Sequence, residues 1–315
     1  MEKVRAFAPA SIGNLGPGFD VLGLAIQGLG DIVEVKKIKG AQVVISEITG
    51  CANYLSRDVQ RNTVGIAAIN ALKRIGSREG GIEIFLHKQI PPGSGLGSSA
   101  ASAVASAFAV NHLFGSPLSS TEVIQVATTA EASVSGEFFA DNTATSLLGG
   151  ATLTRCNDPL EVISLGTIPG AIIVLVSPCL RVLTKKARAI LPKKVPLKGF
   201  VSNMANSCAI VAAFCRQDLG LLVRAIEDQV IEPVRARLIP GFYEAKEAAL
   251  REGAKGCTLS GAGPTIFSIT DDRERAEAIG AAMVKAFQKE GLESRLLITG
   301  IDAEGARILP QCSVP

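Results

Sequence analysis

The sequence predicts an α+β fold of about two domains, and three observations carry that prediction. Its 315 residues suit two domains at roughly 100–200 residues each. The N-terminal half alternates β-branched runs with amphipathic stretches, whereas the C-terminal half sets a few strands among several helices, the pattern of helices packed on one side of a sheet. Glycine is abundant at 32 residues, Trp is absent and Tyr occurs twice, which fits a turn-rich α/β or α+β chain.

In order, an apolar segment at residues 4–8 starts the chain as a strand and leads into a glycine-rich turn, Ser11-Ile-Gly-Asn-Leu-Gly-Pro-Gly18. Residues 31–37 and 42–46 are β-branched runs separated by Lys39-Gly40, which predicts a hairpin-like pair. Val64, Ile66, Ala67, Ile69, Leu72 and Ile75 recur at helical spacing, with Asn62 or Thr63 as N-cap and Gly76 as the stop. Ile82, Ile84 and Leu86 alternate as a strand that delivers the chain into a glycine-rich loop at 91, and a helix follows over 98–114. Ser119 and Glu122 form a capping box for a helix reaching about 132. A turn at 167–170 precedes a continuous apolar run at 171–177, read as a strand buried on both faces. Helices are expected over 202–216, 221–231, 242–252 and 273–290, with strands over 265–270 and 294–299. Residues 185–198 carry six basic side chains and two prolines, and read as a mobile loop or short helix. Such a segment is either simply solvated or a lid that meets anionic groups.

Composition excludes several classes. With 47% hydrophobic and 19% charged residues, a formal net charge of +3 and mean hydropathy of +0.33, the chain is neither disordered nor covered by a nucleic-acid-sized basic surface. Residues 89–121 lack Asp, Glu, Lys and Arg, yet prolines and glycines break the run and its helix falls short of the ~20 apolar residues a membrane span needs. Seven scattered cysteines without CxxC spacing and no signal peptide predict a reducing, cytoplasmic setting, with the thiols buried as small hydrophobes. His87 and His112 have no companion ligands at metal spacing and read as structural.

The most informative segment is PPGSGLGSSAAS at 91–102, between a strand and an Ala-rich helix. Glycines at alternate positions let backbone N–H groups converge, and a helix N-terminus beyond them adds a favourable dipole, so the segment suits a phosphate. It lacks the spacing of a dinucleotide fingerprint and the Gly-Lys-Ser/Thr of a P-loop. A phosphate loop without its own lysine needs a divalent cation or remote basic residues, and Glu131 is the candidate metal ligand.

This motif resembles the phosphate-binding motif of the GHMP kinase superfamily. The N-terminal run APASIGNLGPGFDVLG at 8–23 is similar to that superfamily's first motif as homoserine kinases carry it, and GCTLSGAGPT at 256–265 resembles its third. Stretches at 140–150, 184–192 and 232–241 are also similar to homoserine kinases. The resemblance spans nearly the whole chain and implies a two-domain GHMP kinase fold: an N-terminal ribosomal-protein-S5-domain-2-like domain at 1–165 and a C-terminal ferredoxin-like domain at 166–315. It further implies ATP- and Mg2+-dependent phosphorylation of the L-homoserine hydroxyl for threonine synthesis, in a homodimer.

By that resemblance Pro91, Pro92, Gly93, Ser94, Gly95, Leu96, Gly97, Ser98, Ser99, Ala100 and Ala101 wrap the ATP phosphates, Ser98 and Glu131 hold magnesium, and Asn62 and Lys88 lie near the nucleoside. Asp20, with Asn14, takes the substrate ammonium. Arg188 and Arg235 take its carboxylate through their planar forks, assisted by Thr184, with Ser260 and Gly261 alongside. Asn142 positions metal or substrate, and Asp141 is a candidate base. Each has a plainer reading: Glu131 as a solvated helix residue, Lys88 as a strand-end charge, the arginines as surface ion pairs, with Arg237 competing for the place of Arg235. Many homoserine kinases carry a histidine just before the Asp-Asn pair, where this chain has Phe138-Phe139-Ala140. Two alternatives stand beside the leading one: another GHMP small-molecule kinase, such as a mevalonate kinase, or a non-catalytic nucleotide-binding regulator.

Overall fold

A computed structural model of the chain describes residues 2–77 and 80–310. β1 (Lys3–Gly13) and β2 (Leu22–Lys37) form a long antiparallel pair. β1 extends to Gly13, so the glycine-rich turn begins at Asn14 rather than Ser11. β3 (Val43–Gly50), α1 (Thr63–Ile75) and β4 (Ile82–Lys88) follow. The expected β2–β3 hairpin is not formed: β4 lies between them, antiparallel to β2 and parallel to β3, with α1 as the crossover. Burial explains the choice. Ile82, Ile84 and Leu86 of β4 are almost fully buried and take the inner position, whereas β3 buries chiefly Ile45 and Ile48 and takes the edge. Asn62 is the N-cap of α1, accepting from the Val64 N–H, and left-handed Gly76 closes that helix.

α2 (Ser98–Leu113) is buried nearly all round, packed against the sheet, α1 and α3 (Ser120–Ser135). Its lack of charge therefore reflects a core position. No helix among the described residues is long and apolar enough to cross a membrane. The Ser119–Glu122 capping box is present at the start of α3. α4 (Asp141–Leu148), β5 (Ala151–Asn157) and β6 (Leu160–Gly166) complete this half, β5 pairing with both β2 and β6.

A second sheet is built around β7 (Ile172–Pro178). After it come α5 (Thr184–Ala189), α6 (Leu197–Arg216), α7 (Leu219–Ala225), α8 (Glu232–Arg235) and α9 (Phe242–Arg251). β8 (Cys257–Leu259), β9 (Ile266–Thr270), α10 (Arg273–Lys289) and β10 (Ser294–Thr299) follow, giving the antiparallel order β10-β7-β9-β8. Helices cover both faces rather than one: Val174 and Val176 face α9 and α10, while Ile173 and Leu175 join a core with α6, α7 and β2. The helix expected over 221–231 stops at Ala225. Asp228 accounts for this by accepting from the N–H groups of Val230, Ile231 and Glu232, an alternative to helical bonding. The chain then returns to the first sheet, where Ile301 bridges Ile26 and β11 (Arg307–Ile308) pairs with β1.

The cysteines differ from expectation. Cys257 is buried, and desolvation pushes its thiol up to about 12, but Cys51, Cys179, Cys208 and Cys215 are exposed and Cys156 is half-buried, all as free thiols. Cys312 lies outside the described residues. His87 and His112 contact the hydroxyls of Thr49 and Ser116.

Candidate active site

The loop at 91–97 leaves β4 and ends where α2 begins, so the first turn of α2 presents its N-terminus to a cavity of about 420 Å3 lined by residues of both halves of the chain. The three sequence motifs meet here. The Ser11 N–H donates to the Leu96 carbonyl and the Gly261 N–H to the Gly13 carbonyl. Ser260 Oγ donates to the Gly95 carbonyl at 2.7 Å, and Thr265 Oγ1 to the Ser94 carbonyl at 2.7 Å. Gly95 has φ +82° and a Cβ on it would lie 2.6 Å from the Ser260 carbonyl oxygen, so only glycine allows the third motif to brace the loop. Among the described residues the hydroxyl of buried Ser94 has no partner. Ser260 thus supports the loop, and Gly261 supplies a carbonyl to the neighbouring Arg235.

Lys88 and Asn62 both line the cavity, but their polar atoms bond internally. The Lys88 ammonium pairs with the Asp31 carboxylate and donates to the Ser98 carbonyl and to Ser102 Oγ, with the residue only 2% exposed. Asp31 also accepts from the N–H groups of Gln89 and Ile90 and from Ser102 Oγ. This buried network ties the entry and exit of the phosphate loop together. Asn62 caps α1 and donates to the Ser56 carbonyl.

Glu131, on α3, accepts from Ser99 Oγ at 2.9 Å, whereas Ser98 Oγ turns back to the Ile90 carbonyl. Burial, reinforced by the charge of Asp141, raises the Glu131 carboxyl to about 7 against the Ser99 hydrogen bond. Asp141, at the first position of α4, is likewise raised to about 6 by burial and by Asp20, against hydrogen bonds from Asn142. Asn142 donates to Asp141 Oδ2 at 3.0 Å and accepts from Ser11 Oγ at 2.8 Å. Two neighbouring carboxyls, Asp141 buried and Glu131 half-buried at the cavity wall, beside a helix N-terminus and hydroxyls suit a hard cation. No cluster of three metal-ligating side chains occurs among the described residues, so phosphate and water oxygens would complete a magnesium shell.

In the same cavity Arg188 reaches both oxygens of Asp20 and also meets Glu137 at 2.8 Å. Asp20 sits at φ +60°, and its N–H donates to the Asn14 side chain. Arg235 is 3% exposed: Nη1 donates to the Gly261 carbonyl at 2.8 Å, Nε is unpartnered, and desolvation lowers its pKa to about 10, leaving it charged at neutral pH. Both guanidinium groups lie over the Phe19 ring, and that of Arg188 also over Phe139, at 4.7 Å. Thr184 starts α5 at the rim, where the basic segment forms a short helix and lines the cavity through Lys185 and Arg188. The competing Arg237 does not line the cavity. Asp31, Phe19, Glu137, Arg61 and Arg181 were not foreseen. An Asp opening a β-branched run and an aromatic directly after a glycine-rich turn are the available signals for the first two.

The model of the GHMP kinases N terminal domain matches residues 61–150, and that of the GHMP kinases C terminal domain matches residues 210–289. The chain is 45% identical to a homoserine kinase of Arabidopsis thaliana over 99% of this chain and 86% of that protein. It is 42% identical to a homoserine kinase of Chloroherpeton thalassium over 98% of this chain and the whole of that protein. The crystal structure of a homoserine kinase from Cytophaga hutchinsonii superposes with a TM-score of 0.92 at 39% identity, covering 98% of each chain.

Proposed function

The chain belongs to the homoserine kinases of the GHMP kinase superfamily, and from that premise we propose which of its residues carry the phosphorylation of L-homoserine by ATP. The observation that carries this reading is the placement, in one cavity, of a lysine-free phosphate loop and the Asp20, Arg188 and Arg235 charges. Those charges complement a zwitterionic amino acid: the ammonium goes to Asp20 beside Asn14, and the carboxylate to Arg188 and Arg235 with Thr184 at the rim. Mevalonate has no ammonium for Asp20, and relatives spanning the whole chain support homoserine over it. No observation favours a non-catalytic regulator.

The backbone of residues 91–101 wraps the ATP phosphates, with N–H groups available only from Gly93 onward because Pro91 and Pro92 have none. The family uses ATP with Mg2+; Glu131, with the Ser98–Ser99 pair, would hold the ion, which supplies charge neutralisation on the phosphates. Asn142, fixed between Ser11 and Asp141, orients the reacting groups. Phosphoryl transfer through a loose transition state needs alignment more than a strong base, so Asp141 chiefly holds Asn142 and can accept the hydroxyl proton. Phe139 packs on Arg188 and helps aim it. We place residues 1–165 and 166–315 as the two domains, the enzyme in the cytoplasm, and its assembly as a homodimer.

ADP release from Mg-ATP against L-homoserine, mevalonate, galactose, L-serine and L-threonine tests the reading. Release with homoserine alone supports it. Nucleotide binding without release from any of the five would remove the substrate assignment.

A further inference from the structure

A triphosphate brings several negative charges to residues 91–101, and the protein must meet them from elsewhere. No Lys or Arg occurs between Lys88 and Glu122, and the Lys88 ammonium is buried against Asp31. We infer that Arg181, which no sequence motif singled out, is the arginine that contacts the nucleotide phosphates; this rests on reading the cavity as the ATP site.

Three observations converge on it. The segment between β7 and α5 is stitched to the loop, with the Val182 N–H donating to the Gly93 carbonyl at 3.2 Å. The Arg181 stem crosses the loop at Gly93: a Cβ there would lie 2.6 Å from Arg181 Cγ and 3.4 Å from its Nε. Gly93 therefore opens the lane that the arginine occupies. The guanidinium is exposed, has no ion-pair partner among the described residues, and lines the same cavity as Gly93, Gly95, Gly97 and Ser98. The other arginines differ. Arg188 is engaged by Asp20 and Glu137, and Arg235 by Gly261. Arg61 and Lys185 line the cavity without a hydrogen bond to the loop among the described residues. A planar, permanently charged fork on a loop that lacks its own lysine suits bidentate contact with phosphate oxygens.

The test is equilibrium binding of adenosine, ADP and Mg-ATP to the wild type, Arg181→Gln and Arg181→Lys, with the KM for ATP and for homoserine measured alongside. The Gln variant should lose about tenfold or more in Mg-ATP affinity, as expected for a charged hydrogen bond. Its adenosine affinity and homoserine KM should hold, and Lys should recover part of the loss by keeping the charge. Mg-ATP affinity and KM equal to wild type in the Gln variant would overturn the role of Arg181, as would an equal loss for adenosine, which would mean a collapsed loop. Failure of the wild type itself to bind Mg-ATP would instead remove the nucleotide-site reading, and Arg181 with it.

Discussion

Arg188 offers its two terminal nitrogens to the two oxygens of Asp20, each at 2.8 Å, across 168 residues of sequence. In the proposed substrate site this pair supplies the two charges that complement a zwitterion. An amino-acid ammonium and carboxylate can insert between them without leaving either charge unmatched. Asp20→Asn should therefore raise the KM for homoserine roughly 10- to 100-fold, the range of a lost charged hydrogen bond, with the KM for ATP nearly unchanged. Steady-state kinetics with each substrate varied in turn decides this, and equal changes in both constants would place Asp20 outside the substrate end.

Arg235 is buried with one unpartnered nitrogen beside the same Phe19 ring. Arg235→Ala should weaken homoserine binding by a similar factor and spare ATP, measured by calorimetric titration of each ligand. Arg235→Lys should remain impaired, because a point charge does not replace a planar fork.

Glu131 supplies the pH prediction. Its carboxyl is raised to about 7, so between the ordinary carboxylate range and pH 7 the folded protein holds a proton that the unfolded chain has released. Stability from this group is thus lost as pH rises through that window, and Glu131→Gln should gain in thermal stability relative to wild type from pH 5 to 7.5. Metal binding needs the ionised form, so the wild-type magnesium requirement should ease as pH rises through about 7 and then level off. The Gln variant should turn over slowly and need more magnesium at every pH. Parallel magnesium titrations at pH 6 and 8 check both signs, and identical curves for the two proteins would remove Glu131 from the metal site.

Lys88 and Asp31 form the buried pair beneath the loop. Lys88→Met should destabilise the protein by about 3–5 kcal/mol in chemical denaturation, because it strands a buried carboxylate. Adding Asp31→Leu should not restore stability, since Asp31 also satisfies the backbone N–H groups of Gln89 and Ile90. Full recovery in the double variant would show that the pair has no bracing role.

Much of this architecture was legible because local chemistry specifies it: the Asn62 cap, the capping box at Ser119, the alternation in β4 and the glycine spacing of the loop. Two β-branched runs joined by a short turn suggest a β2–β3 hairpin and do not reveal that a more apolar strand, β4, takes the place between them. α4 escaped because DNTATSLL has weak helical propensity and depends on burial, with Ser146 Oγ donating to the Pro9 carbonyl. In the site, the residue types proposed for the zwitterion pocket come from resemblance, and the Asp20–Arg188 and Asp31–Lys88 pairings are visible only in the structure. Those pairings join residues far apart in sequence, and no local pattern encodes them.

The most direct test of the account is phosphorus NMR of the products formed from Mg-ATP and L-homoserine by the wild type and Asp20→Asn. A phosphomonoester of homoserine should appear in step with ADP in the wild type, and more slowly in the variant at subsaturating homoserine. ADP accompanied only by inorganic phosphate, or a variant indistinguishable from wild type, would contradict it.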